Sequence, residues 1–358
     1  MKRKTIILAG SGHAHLEVLK LFSKNEFATH RFMMISPHRQ SYYSGLIPRL
    51  ISGEVEPSQL TIHSADYAEK KGVEFIQDSI QAFNPQESTV TLAGGATEHF
   101  DILSLNVGGD TLKIPSQSPF NTIYLKPFDE FIQNWRDVQR ICSACMNPRF
   151  VVIGGGAAAV EVATALRIRL NRNQAQKSEV HLVTQGNRLC ESYSKKISAA
   201  IHASAIAFGI QVHLQEPLTQ ILEKHILLQN GKKLKFDSIF VATATKKPDL
   251  IPGPVDATLR LTPNIFAVGD CTSIKNQPTL PRSGVTAVHQ GRHLANCLRS
   301  VLNGASPVDF KIRKHSLNIL ITSDQTARLV WGQQSFEGAL ALKIKNWIDQ
   351  RYLSSFQD

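Results

Sequence analysis

Short apolar runs, each ending in a glycine-containing or polar turn, recur along the chain with helix-spaced segments between them. Lys4 to Ala9 reads as a strand that runs into Gly10-Ser11-Gly12, after which Leu16, Leu19 and Phe22 mark the apolar face of a helix. Phe32 to Ile35 is a second strand, and it stops at Ser36. Phe100 to Leu105 is another, ending in Asn106-Val107-Gly108-Gly109. The pattern then restarts. Phe150 to Ile153 leads through Gly154-Gly155-Gly156 into a helix over Val162 to Leu170, Val180 to Val183 stops at Thr184, and Phe236 to Ala244 mirrors the run that begins at Phe100. Near the end, Pro263 to Val268 runs into Gly269-Asp270. Unbroken apolar runs bounded by Pro and Gly are buried parallel strands rather than half-exposed ones. Strands alternating with helical spacing predict an α/β fold. One further helix is expected from Lys126-Pro127-Phe128-Asp129 through Trp135 to about Cys145, and another is opened by the stretch Pro281 to Gly291. Two strands, Ser316–Thr322 and Ala327–Trp331, then precede a final helix over Gly338–Phe356.

The two glycine turns carry the candidate chemistry. Each follows a strand and opens a helix, the context in which a G-x-G fingerprint binds a dinucleotide. Gly10 and Gly12, and again Gly154 and Gly156 with Ala157 and Ala158 behind them, let backbone N–H groups approach a pyrophosphate at the positive end of the helix dipole. The first turn departs from the pattern at its third position, where His15 stands and is expected to loosen helix-to-strand packing. His13 and His15 are candidates for phosphate or core contact. Neither Ser36 nor Thr184 is the carboxylate that ordinarily binds an adenosine ribose at such a strand end. Arg188, four positions beyond Thr184, suits a 2′-phosphate and favours NADPH over NADH. Asp270 sits at the carboxyl edge of its strand, placed to accept hydrogen bonds from a polyol or ribose hydroxyl.

The string Asn264-Ile265-Phe266-Ala267-Val268-Gly269-Asp270 resembles the second flavin signature of two-domain flavoproteins of the pyridine nucleotide-disulfide oxidoreductase superfamily. Tyr43-Ser44-Gly45-Leu46-Ile47-Pro48 is similar to a narrower branch, type II NADH dehydrogenase-like in outline, that includes the flavoprotein module fused to selenide, water dikinase. The resemblance implies two Rossmann-like domains: an FAD domain over 1–118 and 262–306, an NAD(P)H domain over 119–261, and a C-terminal segment over 307–358. It implies that Asp270 holds the ribityl chain, that Gly108 belongs to the return segment, and that the helix start at Gly284 and Thr286 faces the flavin. Glu161 is the candidate near the nicotinamide. The implied reaction is hydride transfer from NADPH or NADH to FAD, then electron passage to an unidentified acceptor such as a quinone. Two alternatives stay open: a disulfide reductase using Cys142 and Cys145, and a flavin-bearing partner module of a selenium pathway.

Bulk properties narrow this little further. The 358 residues suffice for two domains, and no apolar run is long enough to span a bilayer. The formal charge of +11 attracts anions, but no basic block interleaved with aromatics points to nucleic acid. Five cysteines, an odd number, argue for a reducing compartment; with a start that does not match a signal peptide, a cytoplasmic protein is expected. No metal site is expected. In the last helix Leu340, Ile344, Trp347, Ile348, Tyr352 and Phe356 share one face with Lys343, Lys345 and Arg351 at its margins. That face suits either docking on the FAD domain or peripheral membrane contact.

Overall fold

The computed structural model describes residues 3–143, 146–173, 177–243, 245–277 and 280–357, without the side chains of 110 and 141–143. The chain opens with β1 (Thr5–Ala9), α1 (His13–Leu21), β2 (Arg31–Ser36), β3 (Glu74–Gln77) and β4 (Ile102–Leu105). It then leaves this sheet to build a second one from β5 (Thr122–Tyr124), β6 (Arg149–Ile153), α2 (Ala157–Arg172), β7 (Glu179–Val183), β8 (Gln211–His213) and β9 (Ser238–Val241). It returns through β10 (Arg260–Thr262), β11 (Ile265–Ala267) and α3 (Gly284–Leu302), and closes with β12 (Leu317–Ile321), β13 (Ala327–Trp331), β14 (Gln334–Gly338) and α4 (Ala339–Ser354).

The first sheet has the order β10-β11-β4-β1-β2-β3 and the second β5-β9-β6-β7-β8. Every pairing in both is parallel except the short hairpin of β10 with β11. In each sheet the strand that feeds a glycine turn, β1 or β6, lies in the interior, flanked on one side by the next strand and on the other by the return strand. This is the doubly wound arrangement, whose ligand crevice lies beyond the carboxyl ends of the strands. The apolar runs are buried as their composition requires: Ile6, Ile7 and Leu8, Phe150 to Val152, and Ile265 to Val268 are all fully inaccessible.

Three local departures from the sequence reading have simple causes. The helix expected from Phe128 to about Cys145 is two, Phe128–Gln133 and Trp135–Ser143, because Asn134 leaves helical geometry and caps the first. The C-terminal segment gains a third strand, β14, reached through a turn in which Gly332 has a positive φ; Gln334, Ser335 and Glu337 hid it from an apolar-pattern search. Finally, the buried side of α4 is not the expected stripe. Ala341, Lys345 and Asp349 face inward with Phe356 following, whereas Leu340 and Trp347 are 60% and 58% exposed. Docking against the body of the protein is what α4 does, through a polar pair.

Candidate functional site

Both glycine turns open onto one cleft of about 2000 Å³. Gly10 has a φ of +93°, and a Cβ there would meet the Asn106 carbonyl oxygen at 2.3 Å, so the turn after β1 admits only glycine. Gly154 is held likewise, with a Cβ meeting the Ala242 carbonyl oxygen at 2.5 Å. Beside the first turn, Ser11 and Ser36 share a hydroxyl-hydroxyl hydrogen bond of 3.0 Å across the strand ends.

His15 does not join them. It is fully buried outside the cleft lining, with Nδ1 2.7 Å from the Gly10 carbonyl oxygen and Nε2 2.8 Å from Ser104 Oγ. A carbonyl only accepts, so Nδ1 carries the proton and Nε2 accepts from the serine. Both ring nitrogens are consumed, leaving nothing for a phosphate, and the ring braces the turn to β4 instead of loosening it. Burial is the main cause that lowers its pKa to about 4. His13 does face the cleft, where Nε2 lies 3.3 Å from Ser44 Oγ and Nδ1 3.2 Å from Tyr352 Oη. Burial, countered by Asp270 and reinforced by Lys126, lowers it to about 4 as well.

The remaining sequence candidates all line the cleft. Gly108 lies past the end of β4; Gly284 and Thr286 sit at the start of α3, which Ser283 caps by accepting from the Thr286 N–H. Asp270 is ion-paired with Lys126 Nζ at 2.5 Å, a partner 144 positions away that no local pattern could reveal. On the second turn, Gly156 caps α2, and Ala157 and Ala158 begin it. The loop after β7 folds back so that the Cys190 N–H donates to the Gly155 carbonyl at 2.7 Å. Thr184 Oγ1 accepts from the Gly186 N–H. Arg188 is held by its own loop, donating to the carbonyls of Tyr193 (3.2 Å) and Glu191 (2.8 Å). Glu191, absent from the sequence candidates, supplies a carboxylate to this strand end, accepting from the Asn187 N–H at 3.0 Å.

Glu161, one turn into α2 rather than in its first turn, lines the cleft and accepts from the Ile321 N–H of β12 at 3.1 Å. Burial raises its pKa to about 7 against the pull of Lys345. The C-terminal helix therefore belongs to the site. Lys345 Nζ reaches the Gly45 carbonyl (2.9 Å) and both Asp349 oxygens (2.9 and 2.7 Å), and Tyr43 Oη donates to Asp349 at 2.8 Å. Tyr43 and Tyr352 stack with centroids 4.8 Å apart. The sequence reading placed Lys345 at a helix margin because it could not see which face the segment Tyr43-Ser44-Gly45 would claim. Cys145 and the side chain of Cys142 lie outside the described residues. Cys190, Cys271 and Cys297 are buried free thiols, each pushed up to about 12 chiefly by burial, and so poor nucleophiles.

The model of the pyridine nucleotide-disulphide oxidoreductase family matches residues 4–291. Among curated proteins, the chain is 19% identical to a probable NADH dehydrogenase of Dictyostelium discoideum, over 87% of this chain and 78% of that one. It is 21% identical to a type II NADH:quinone oxidoreductase of Staphylococcus epidermidis, over 98% of this chain and 95% of the other. Among solved structures, NDH2 from Plasmodium falciparum in complex with NADH superposes with a TM-score of 0.84 at 15% identity, covering 99% of this chain and 98% of that one.

Proposed function

The chain belongs to the pyridine nucleotide-disulphide oxidoreductase family, and we propose that it is a quinone-reducing member working at a membrane surface. It is an enzyme of that family, a flavin-dependent oxidoreductase using FAD and NAD(P)H. The first glycine turn, with Asp270, is the proposed FAD cradle, and the second, with the β7 loop, the proposed nucleotide cradle. Bound FAD supplies a ring that accepts a hydride from the nicotinamide and passes two electrons onward.

The observation that carries the choice of acceptor is Glu161. Reducing a quinone to a quinol takes two electrons and two protons, while a hydride brings two electrons and one proton. The second proton needs a donor inside the cleft, and a carboxyl poised near neutrality is suited to give it. Glu161 reaches from α2 to the C-terminal segment with a pKa of about 7. The membrane reading rests on exposed Trp331, Phe336, Leu340 and Trp347 in a C-terminal segment that also exposes Lys311, Arg313, Lys314 and Lys343. Such a surface fits the headgroup boundary where a lipid-soluble acceptor resides. Among the described residues no helix is long and apolar enough to cross a membrane.

The test is stopped-flow reoxidation of the reduced protein by a water-soluble quinone from pH 5 to 9. The wild-type rate is expected to fall as pH rises through about 7, where Glu161 loses its proton. Glu161→Gln should be slower by about 10²-fold, within the range for a lost general acid, and should lack that limb. A Glu161→Gln protein with the wild-type rate and profile would refute the assignment. The second reading, a flavin-bearing partner module of a selenium pathway, is favoured by the Tyr43 to Pro48 segment, and predicts bound flavin that NAD(P)H leaves oxidised.

A further inference from the structure

One buried side-chain donor in the first cradle has no partner among the described residues. Asn106 follows β4 and joins the sheet through its own N–H, which donates to the Ala9 carbonyl at 2.8 Å. The residue is 6% exposed and lines the cleft, and its Nδ2 has no hydrogen-bond partner among the described residues. Leaving a buried amide donor unpaired costs about 1–3 kcal/mol, so a native fold retains one where something else completes it.

The surroundings say what that is. A Cβ on Gly12 would lie 2.8 Å from Asn106 Nδ2, and a Cβ on Gly269 would lie 2.5 Å from Asn106 Oδ1. The glycines of two separate motifs, far apart in sequence, thus make room for one carboxamide. It is wedged between the N-terminus of α1, with its free N–H groups and positive dipole end, and the turn that carries Asp270. A group that merely filled space there would be apolar.

Resting on the reading of this cleft as an FAD site, we propose that Asn106 is a diphosphate-binding residue, its Nδ2 donating to the pyrophosphate of the dinucleotide alongside the backbone N–H groups of the Gly10 turn. The carboxamide presents a neutral donor, which suits an anion already matched by the helix dipole.

The test measures FAD dissociation from the purified full-length protein, read by the fluorescence of released flavin, with thermal unfolding as a check on folding. Asn106→Ala should raise the dissociation constant about 10- to 100-fold, the range for a hydrogen bond to a charged group. Asn106→Asp, nearly the same shape but bearing a carboxylate beside the phosphates, should hold FAD more weakly still. Asn106→Ser, which keeps a shorter donor, should fall between Asn106→Ala and the wild type, and carries the comparison if either other variant unfolds. A packing role predicts the opposite ranking, with Asn106→Asp close to the wild type and Asn106→Ser no better than Asn106→Ala. That ranking, or unchanged retention in Asn106→Ala, overturns the proposal. A wild-type protein that retains and binds no FAD at all overturns the reading of the site itself.

Discussion

A buried imidazole bonded to a carbonyl on one side and a hydroxyl on the other is stable only while neutral, and His15 is such a ring. Its pKa is about 4 in the fold against about 6.5 unfolded, so its contribution is fully present above pH 6.5 and is lost as pH falls toward 4. The shift corresponds to about 3 kcal/mol at most. Denaturant unfolding at pH 7.5 and pH 4.5 should show that loss in the wild type, and His15→Gln should start lower but lose less. An equal loss in both proteins would mean that His15 is not the titrating group. At the proposed nucleotide end the sequence reading named Arg188 and not Glu191, because which carboxylate a loop turns toward the cleft is a matter of loop shape. A 2′-phosphate placed in this loop would be attracted by the one and repelled by the other. Arg188→Ala should lower the ratio of NADPH to NADH efficiency and Glu191→Ala should raise it, each by about tenfold if the charge meets the phosphate; steady-state kcat/KM for both nucleotides decides this.

The elements were legible where one principle governed them. Buried strands such as Ile265–Ala267 are uniformly apolar and end in glycine, and both glycine turns appear where strand meets helix. What escaped was set by partners distant in sequence. The inward face of α4 carries Lys345 and Asp349, an ion pair that reads as solvated surface until the Gly45 carbonyl and Tyr43 hydroxyl are placed over it. Tyr352 and Phe356 extend this contact toward His13 and Tyr67. Removing residues from 338 onward would therefore uncover both Tyr43 and the wall of the proposed FAD cradle. The truncated protein is expected to be insoluble or to carry little flavin. A soluble truncation with full flavin that no longer co-sediments with anionic vesicles would instead make α4 a membrane element alone.

At the scale of the whole molecule, two sheets of parallel strands hold their glycine turns toward a common cleft, and the C-terminal segment closes it with Glu161 between them. The two glycine turns were legible because each fingerprint is local, and FAD and NAD(P)H were expected from the resemblance of those motifs to a flavoprotein family. The convergence of Asp270 with Lys126, and of Glu161 with Ile321 and Lys345, spans 144 or more residues and follows only from packing. The central claim is that this convergence carries electrons from a nicotinamide through a flavin. It is tested most directly by the visible absorbance of the purified protein on anaerobic addition of NADH or NADPH, with Asp270→Ala as the control. The account predicts a flavin spectrum that bleaches on addition and returns with a quinone, and that Asp270→Ala loses most of its flavin. A colourless wild type, or a flavin band that neither nucleotide bleaches, would contradict it.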